Sequence, residues 1–399
     1  MSDDESLSDD EILQHSDNLN LKGEVINKYN IITELGRGSY SIVWLGYNID
    51  NNKYYAIKVQ HPNDYKAGVC ENKFVSSLPK EMNTFNHLVS EFVEIKENKK
   101  FLCTVYDICC SNLDCIIRKT KYDDGLPFQT VKKMMEQLLQ SCKYLHKNMK
   151  VYHADIKSDN ILLKGISNYN KKIIELYNNL NYPEIYKKSK DECKNLTSEK
   201  KNKIRRLIHK DFCNKIFNYL DQNEINKYDY DDNYILNGSI CLGDFGSFVE
   251  EGEYYDESFG TRYYRSPENI LVGKSSYPND IWAVGCTFYE LLTGRILFDP
   301  DKDKQYSRDD YHLKLINEAC GEFSFDFLKK TKNWKKFFNS NGELKMDINL
   351  EYINKIENKL QSILNGYELE ISLRLIKGML KINPEERLTA SEALSILQN

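Results

Sequence analysis

The apolar residues of this chain change their period near Tyr106, and that change restricts the fold more than any other feature. Before it, short apolar runs at residues 31–35, 42–47, 54–59 and 101–106 are broken by turn residues. They read as antiparallel strands. Gly36, Gly38 and an Asp50-Asn51-Asn52 turn lie between them, and one helix is predicted over residues 68–78. Beyond Tyr106, Val131, Met134, Met135, Leu138, Leu139, Cys142 and Leu145 fall on one helical face behind a start at residues 127–130. Residues 281–292 are apolar almost all round, with Glu290 among them, as a helix at the centre of a lobe should be. Further helices are predicted over residues 368–380 and 389–397.

Composition narrows the function classes. The 399 residues are 41% hydrophobic and 12% aromatic, enough to bury a sizeable core. The formal net charge of −5 supplies no field to hold a polyanion, which argues against stable nucleic-acid binding. The 11 cysteines are odd in number and show no CxxC spacing, so reduced thiols in an intracellular setting, cytoplasmic or nuclear, are expected. No apolar run approaches the roughly 20 residues needed to cross a bilayer, and the start is acidic where a secretory signal is basic then apolar. No membrane association is expected, and a monomer is.

An acidic, disordered tail is expected over residues 1–28, because Asp3, Asp4, Glu5, Asp9, Asp10, Glu11 and Asp17 come with almost nothing to bury. Ser2, Ser6 and Ser8 each precede an acid by three positions, which suits an acid-directed kinase or simply a solubilising tail. Residues 165–239, rich in Lys, Asn, Tyr and Glu, look inserted and are expected to form surface-packed partial helix. Within them Lys201-Asn-Lys-Ile-Arg-Arg reads as a localisation signal or as a solvated helix face.

Four stretches carry chemistry. Gly36-Arg37-Gly38-Ser39-Tyr40-Ser41-Ile42-Val43 joins two strands, so its backbone amides can approach phosphate oxygens; it can equally be a plain hairpin. Ala56-Ile57-Lys58 sets a cation in an apolar strand, which is costly unless an anion meets it. Glu71 is the first candidate partner and Glu81 the second. His153-Ala154-Asp155-Ile156-Lys157-Ser158-Asp159-Asn160 is the most specific stretch. Its carboxylate can accept a hydroxyl proton, its lysine can stabilise charge on a transferred phosphoryl group, and its asparagine can bind magnesium. Leu242-Gly243-Asp244-Phe245-Gly246 adds a second carboxylate in a turn. Taken singly, Asp244 is a turn former, Glu268 a surface charge and Asp280 a helix cap. Their common order is what those readings leave unexplained.

In that order the chain resembles the eukaryotic-type serine/threonine protein kinases from about residue 29 to 398, apart from the insert. The resemblance implies an α+β, two-lobed kinase fold: a small antiparallel-sheet N-lobe (29–106) and a larger, mainly helical C-lobe (107–399) that includes the insert, with ATP and Mg2+ in the cleft. It implies that residues 36–41, Val43 and Ala56 line the nucleotide, and that Lys58 grips its phosphates and pairs with Glu71. Asp155 is then the base, Lys157 and Thr261 its catalytic neighbours, and Asn160 with Asp244 the magnesium ligands. Tyr106, Asp107, Ile108 and Cys109 are the strand that receives the adenine ring; Glu268 pairs with Arg387; Asp280 braces the catalytic loop. Lys157 and Thr261 resemble the serine/threonine class rather than the tyrosine kinases.

Gly260-Thr261-Arg262-Tyr263-Tyr264-Arg265-Ser266-Pro267-Glu268 resembles the group of cyclin-dependent and mitogen-activated kinases, and most closely its SR-protein-kinase branch. Ser41 at the third glycine position, the spacer, residues 306–316 and Trp334-Lys335-Lys336-Phe337-Phe338 are similar to that branch; Phe245 and Pro267 depart from it. Protein substrates follow, Arg/Ser-rich basic ones among them, docking near Asp309, Asp310 and Glu318. Ala154 stands where many relatives carry an arginine that reads an activation-loop phosphate, so the segment 244–268 is expected to be active without modification. The alternatives are a pseudokinase scaffold, against which intact Lys58, Asp155, Asn160 and Asp244 argue, and a small-molecule kinase, against which Thr261 and Ser266-Pro267-Glu268 argue.

Overall fold

The computed structural model describes residues 20–96, 98–192, 197–253, 258–273, 276–348 and 354–398. They divide into two compact units, Met1–Cys110 with Lys164–Asp232, and Ser111–Leu163 with Asn233–Asn399. The chain crosses between the units three times, within strands Cys109–Asn112 and Ile161–Lys164 and at the start of helix Asp232–Asn237.

The first unit is built on a six-stranded antiparallel sheet. Its strands are β1 (Val25–Ile26), β2 (Tyr29–Arg37), β3 (Ser41–Asn48), β4 (Lys53–Gln60), β5 (Leu88–Lys96) and β6 (Lys99–Tyr106), in the order β1-β2-β3-β4-β6-β5. Strand alternation sends Ile42 and Trp44 to one face, where they pack with Tyr29, Ile31, Ile57, Val59 and Val105. It sends Leu45 and Tyr47 to the other. The helix expected over 68–78 runs Tyr65–Ser77 and buries Glu71, Asn72, Phe74 and Val75.

Two expectations change here. Residues 1–19 lie outside the described residues, but the tail drawn to residue 28 ends sooner: Leu21, Val25 and Ile26 are buried, and β1 pairs with β2. Three apolar side chains in eight residues are enough to join a core that the acidic stretch before them cannot. The insert, assigned by sequence to the C-terminal part, belongs instead to the sheet unit. Its helices Asn168–Asn179, Tyr182–Asp191 and Ser198–Gln222 place Ile173, Tyr177, Tyr182, Phe212, Cys213, Ile216 and Leu220 on the sheet face that carries Leu45 and Tyr47. Ser167 and Thr197 cap the first and third of these helices by accepting from the amides of Asn170 and Lys200.

The second unit is mainly helical. Helix Phe128–Tyr144 presents the predicted face, with Val131, Met134, Met135, Leu138, Leu139 and Cys142 buried. In helix Pro278–Thr293 every residue from Asn279 onward is buried, and Gly294 ends it in a left-handed cap. Helices Gly366–Met379 and Ala390–Gln398 complete the predicted set. Short strand pairs bring distant loops together: Ile161–Lys164 pairs with Ile240–Leu242, and Val151–Tyr152 with Val249–Glu250. Arg387 and Glu268 form a buried bidentate pair at 2.7 and 2.9 Å.

Candidate active site

In the sheet unit, Lys58 on β4 donates to both carboxylate oxygens of Glu71 at 2.9 Å. Only 15% of the lysine side chain and 5% of the glutamate remain exposed. Glu81 is exposed and is not the partner. Cross-strand register sets Val43 opposite Lys58 and Leu45 opposite Ala56, so Val43, Ala56 and Lys58 share one face. The turn between β2 and β3 closes through the Gly38 amide on the Ser41 carbonyl at 2.9 Å. Neither Gly36 nor Gly38 has a positive φ, and a Cβ added at Gly36 would meet nothing within 4 Å. The fold itself therefore does not require glycine at Gly36; a bare backbone there suits the approach of another molecule. Ser39 and Tyr40 are exposed, and Arg37 is held by Glu34 at 2.7 Å.

Tyr106 ends β6 opposite Ala56. The linking strand expected over Tyr106, Asp107, Ile108 and Cys109 is broken: Asp107 and Ile108 carry no regular structure, and Cys109 opens the next strand, Cys109–Asn112. Their backbone groups are thus outside the sheet ladder of the first unit.

In the helical unit, three predicted residues converge on the carboxylate of a fourth, Asp155. Asp155 Oδ1 accepts from the Thr261 amide at 2.9 Å and from its hydroxyl at 2.7 Å. Its Oδ2 lies 3.0 Å from Lys157 Nζ and accepts from Asn160 Nδ2 at 3.1 Å. Lys157 also donates to Thr261 Oγ1 at 2.6 Å. Burial pushes the Asp155 carboxyl up, but the Lys157 charge and the Thr261 hydrogen bonds outweigh it and hold the group below the usual carboxylate range. Gly260 makes this approach possible. Its φ is +71°, and a Cβ there would come within 2.6 Å of the Ala154 carbonyl.

The loop is fastened from behind by Asp280 at the start of helix Pro278–Thr293. Its carboxylate accepts from the His153 and Ala154 amides at 2.8 and 2.9 Å and lies 2.9 Å from His146 Nε2. This brace holds Ala154 at φ +67°. His153 reaches on to the Gly243 carbonyl at 3.0 Å and packs against Phe245. The Gly243 amide in turn donates to the Asn160 carbonyl at 3.0 Å. Asp244, exposed with φ +55°, is therefore fixed one residue beyond a contact with Asn160.

Sequence reasoning passed over His146 and Arg118, and gave Gly260 and Tyr264 no role of their own. Glu290 was the available signal, as a carboxylate in an otherwise apolar helix. It accepts from Tyr264 OH at 2.6 Å and from Arg118, and burial pushes its carboxyl up. Asp309 is taken by Arg262 at 2.7 Å, Asp310 closes a capping box with Ser307, and Glu318 is 4% exposed beside Lys314. Asp309 thus ties its helix to the Arg262–Tyr264 turn, and Asp310 caps that helix.

A family model described as the protein kinase domain matches residues 29–177 and 184–396. The chain belongs to the protein kinase domain family. A protein of Acanthamoeba polyphaga mimivirus named as a serine/threonine-protein kinase is 25% identical, over 98% of this chain and 91% of its own length. The dual specificity protein kinase lkh1 of Schizosaccharomyces pombe is 24% identical over 92% of this chain, which spans 46% of that relative. The serine/threonine-protein kinase SRPK of Physarum polycephalum is 26% identical over 93% and 86%. Family and relatives place this kinase among the protein serine/threonine kinases, in agreement with the SR-protein-kinase resemblance read from its motifs. Among the described residues no helix is long and apolar enough to cross a membrane, and no group of three or more His, Cys, Asp or Glu side chains is placed to hold a metal.

Proposed function

We propose that this kinase transfers the γ-phosphoryl group of ATP, with Mg2+, to serine or threonine hydroxyls of protein substrates, Arg/Ser-rich basic chains among them. The observation that carries the reading is the convergence of Lys157, Thr261 and Asn160 on the Asp155 carboxylate. Those contacts point the carboxylate and lower its basicity. Asp155 therefore acts chiefly by orienting an acceptor hydroxyl and receives the proton as the oxygen bonds to phosphorus. Lys157, held 2.6 Å from Thr261 and 3.0 Å from that carboxylate, is a cation that stabilises charge on the transferred group.

The donor set suits magnesium. Asn160 commits its amide nitrogen to Asp155, so its side-chain oxygen would be the atom offered to an ion, and Asp244, one residue beyond the Gly243 contact with Asn160, would add an exposed carboxylate. One carboxylate and one amide oxygen match an ion that keeps waters and phosphate oxygens in its shell. When bound, the ion neutralises phosphate charge. Lys58, held by Glu71, and the bare turn at Gly36 are the groups that suit the nucleotide phosphates.

The test is transfer of labelled phosphate from ATP to an Arg/Ser peptide, an Arg-free Ser peptide and a metabolite panel. Wild type is expected to label the Arg/Ser peptide best, and Asp155→Asn to fall by on the order of 100-fold or more. Equal labelling by wild type and Asp155→Asn overturns the enzymatic reading, and labelling of metabolites alone overturns the protein-kinase one.

A further inference from the structure

The insert does more than cover apolar surface. Arg205, 3% exposed on helix Ser198–Gln222, donates through Nε to Asn30 Oδ1 at 2.7 Å and through Nη1 to the Asn27 carbonyl at 2.6 Å. Asn30 Nδ2 donates to Tyr177 OH at 2.9 Å. The Tyr177 hydroxyl lies 3.1 Å from His209 Nδ1, and His209 Nε2 lies 2.7 Å from the Ile31 carbonyl, which also accepts from the Gly23 amide. One assignment gives both ring nitrogens and the hydroxyl a partner: Tyr177 donates to Nδ1, and a neutral His209 donates from Nε2. Burial first, and the Arg205 charge after it, draw His209 down to about 4, which keeps the ring neutral. The result is an unbroken relay from an insert cation to the backbone of β2.

β2 needs such a tether. Its ladder with β3 skips register between Ile31 and Thr33 and again between Glu34 and Gly36. Both breaks lie between the tethered residues and the glycine turn, and each removes pairing that would otherwise fix the strand. The insert also caps Leu45 and Tyr47, on the same face as Val43, Ala56 and Lys58, and Leu45 is directly opposite Ala56. Consecutive pairs on one face are about 7 Å apart along a strand, so the cap ends one pair from Lys58.

We propose that Tyr177, Arg205 and His209 are positioning residues that hold β2 and its glycine-rich turn in the nucleotide-binding shape, so that the insert sets nucleotide affinity from within the sheet unit. This rests on the nucleotide reading above. A helical cap alone stabilises the unit; the relay in addition fixes where β2 sits, and that is what the variants separate.

The experiment uses the full chain. MgADP binding is measured by titration calorimetry, and amide exchange is measured without nucleotide, for wild type, Tyr177→Phe, His209→Leu and His209→Gln. Tyr177→Phe and His209→Leu are expected to weaken MgADP about threefold to tenfold, the size of one lost neutral hydrogen bond, and to speed exchange at residues 29–41. Gln retains a donor and an acceptor, so His209→Gln is expected to stay within about twofold of wild type. A merely structural role predicts a lower melting temperature with an unchanged Kd, and that result overturns the proposal. If His209→Leu fails to fold, Tyr177→Phe decides alone. If wild type itself binds no MgADP, the nucleotide reading fails, and exchange at residues 29–41 still reports whether the relay holds β2.

Discussion

Replacing Arg387 with Met removes more than a salt bridge. The guanidinium donates to both oxygens of Glu268 and also to the carbonyls of Lys381, Pro278 and Ile382, at 2.7 to 3.3 Å, and it lies 5.1 Å from the Trp282 ring centroid. The ionic side chains are 0% and 2% exposed, so neither solvent nor another chain replaces what is lost. Methionine fills much of the volume, which isolates the electrostatic cost from the cavity cost. Stranding one member of a buried pair, with backbone acceptors left short of donors, costs about 5 kcal/mol. At a urea slope of roughly 2.5 kcal/mol/M the unfolding midpoint falls by about 2 M. The assay is urea unfolding of the full chain followed by far-ultraviolet circular dichroism, which reads mainly the helical unit. The double variant Arg387→Met with Glu268→Gln removes the stranded charge and is expected to regain about 2 kcal/mol over the single variant. A double variant no more stable than Arg387→Met refutes the view that an uncompensated Glu268 dominates the cost.

Lys58→Met leaves Glu71 facing an apolar group; phosphate transfer is expected to fall by about 100-fold or more, measured with the Arg/Ser peptide, and retention of full rate refutes the assignment. His209 and His312 are drawn down by burial, to about 4 and about 3, with the Arg205 charge adding to the first and Arg262 and Arg265 to the second. Each binds fewer protons folded than unfolded, so stability is complete above 6.5 and is lost as pH falls below it, by about 2 kcal/mol per histidine at pH 5. Unfolding midpoints compared at pH 7 and 5 test this, since His209→Gln should lose less stability on acidification than wild type. Phosphatase treatment of the purified kinase should leave activity intact, because Arg265 is engaged by the Gly260 carbonyl and Ser258 and the Thr261 turn is docked without a phosphate. Activity abolished by the phosphatase overturns that expectation.

What was legible in the sequence was whatever repeats at short range. Period-two runs located β2, β3, β4 and β6, and the stripe from Val131 to Leu145 located a buried helix, because burial on one face leaves a local pattern. Strand β5 was missed for the same reason inverted. On this edge strand Val89, Val93 and Ile95 are exposed while Glu91 and Glu94 interrupt the run, so the pattern shows no apolar stripe turned inward. Within the site, Asp155, Lys157 and Asn160 come close because they occupy one loop, and Thr261 joins them from 106 residues away through its amide and hydroxyl. That convergence was read from motif order, which reports the family's geometry without deriving it.

The insert was the least legible part, and its composition explains why. Lys, Asn and Tyr dominate it, and a tyrosine can serve a surface or a core equally well, because its ring buries apolar area while its hydroxyl needs a partner. Tyr177 and Tyr182 became core only because Leu45 and Tyr47 offered an apolar face elsewhere in the chain. Arg205 shows the same effect more sharply. Inside Lys201-Asn-Lys-Ile-Arg-Arg it is one of four cations, yet it is buried on Asn30 and the Asn27 carbonyl while Arg206 next to it is exposed. A helix turns about 100° per residue, so adjacent arginines face opposite environments, and a charge run read as a block conceals the one member that carries structure.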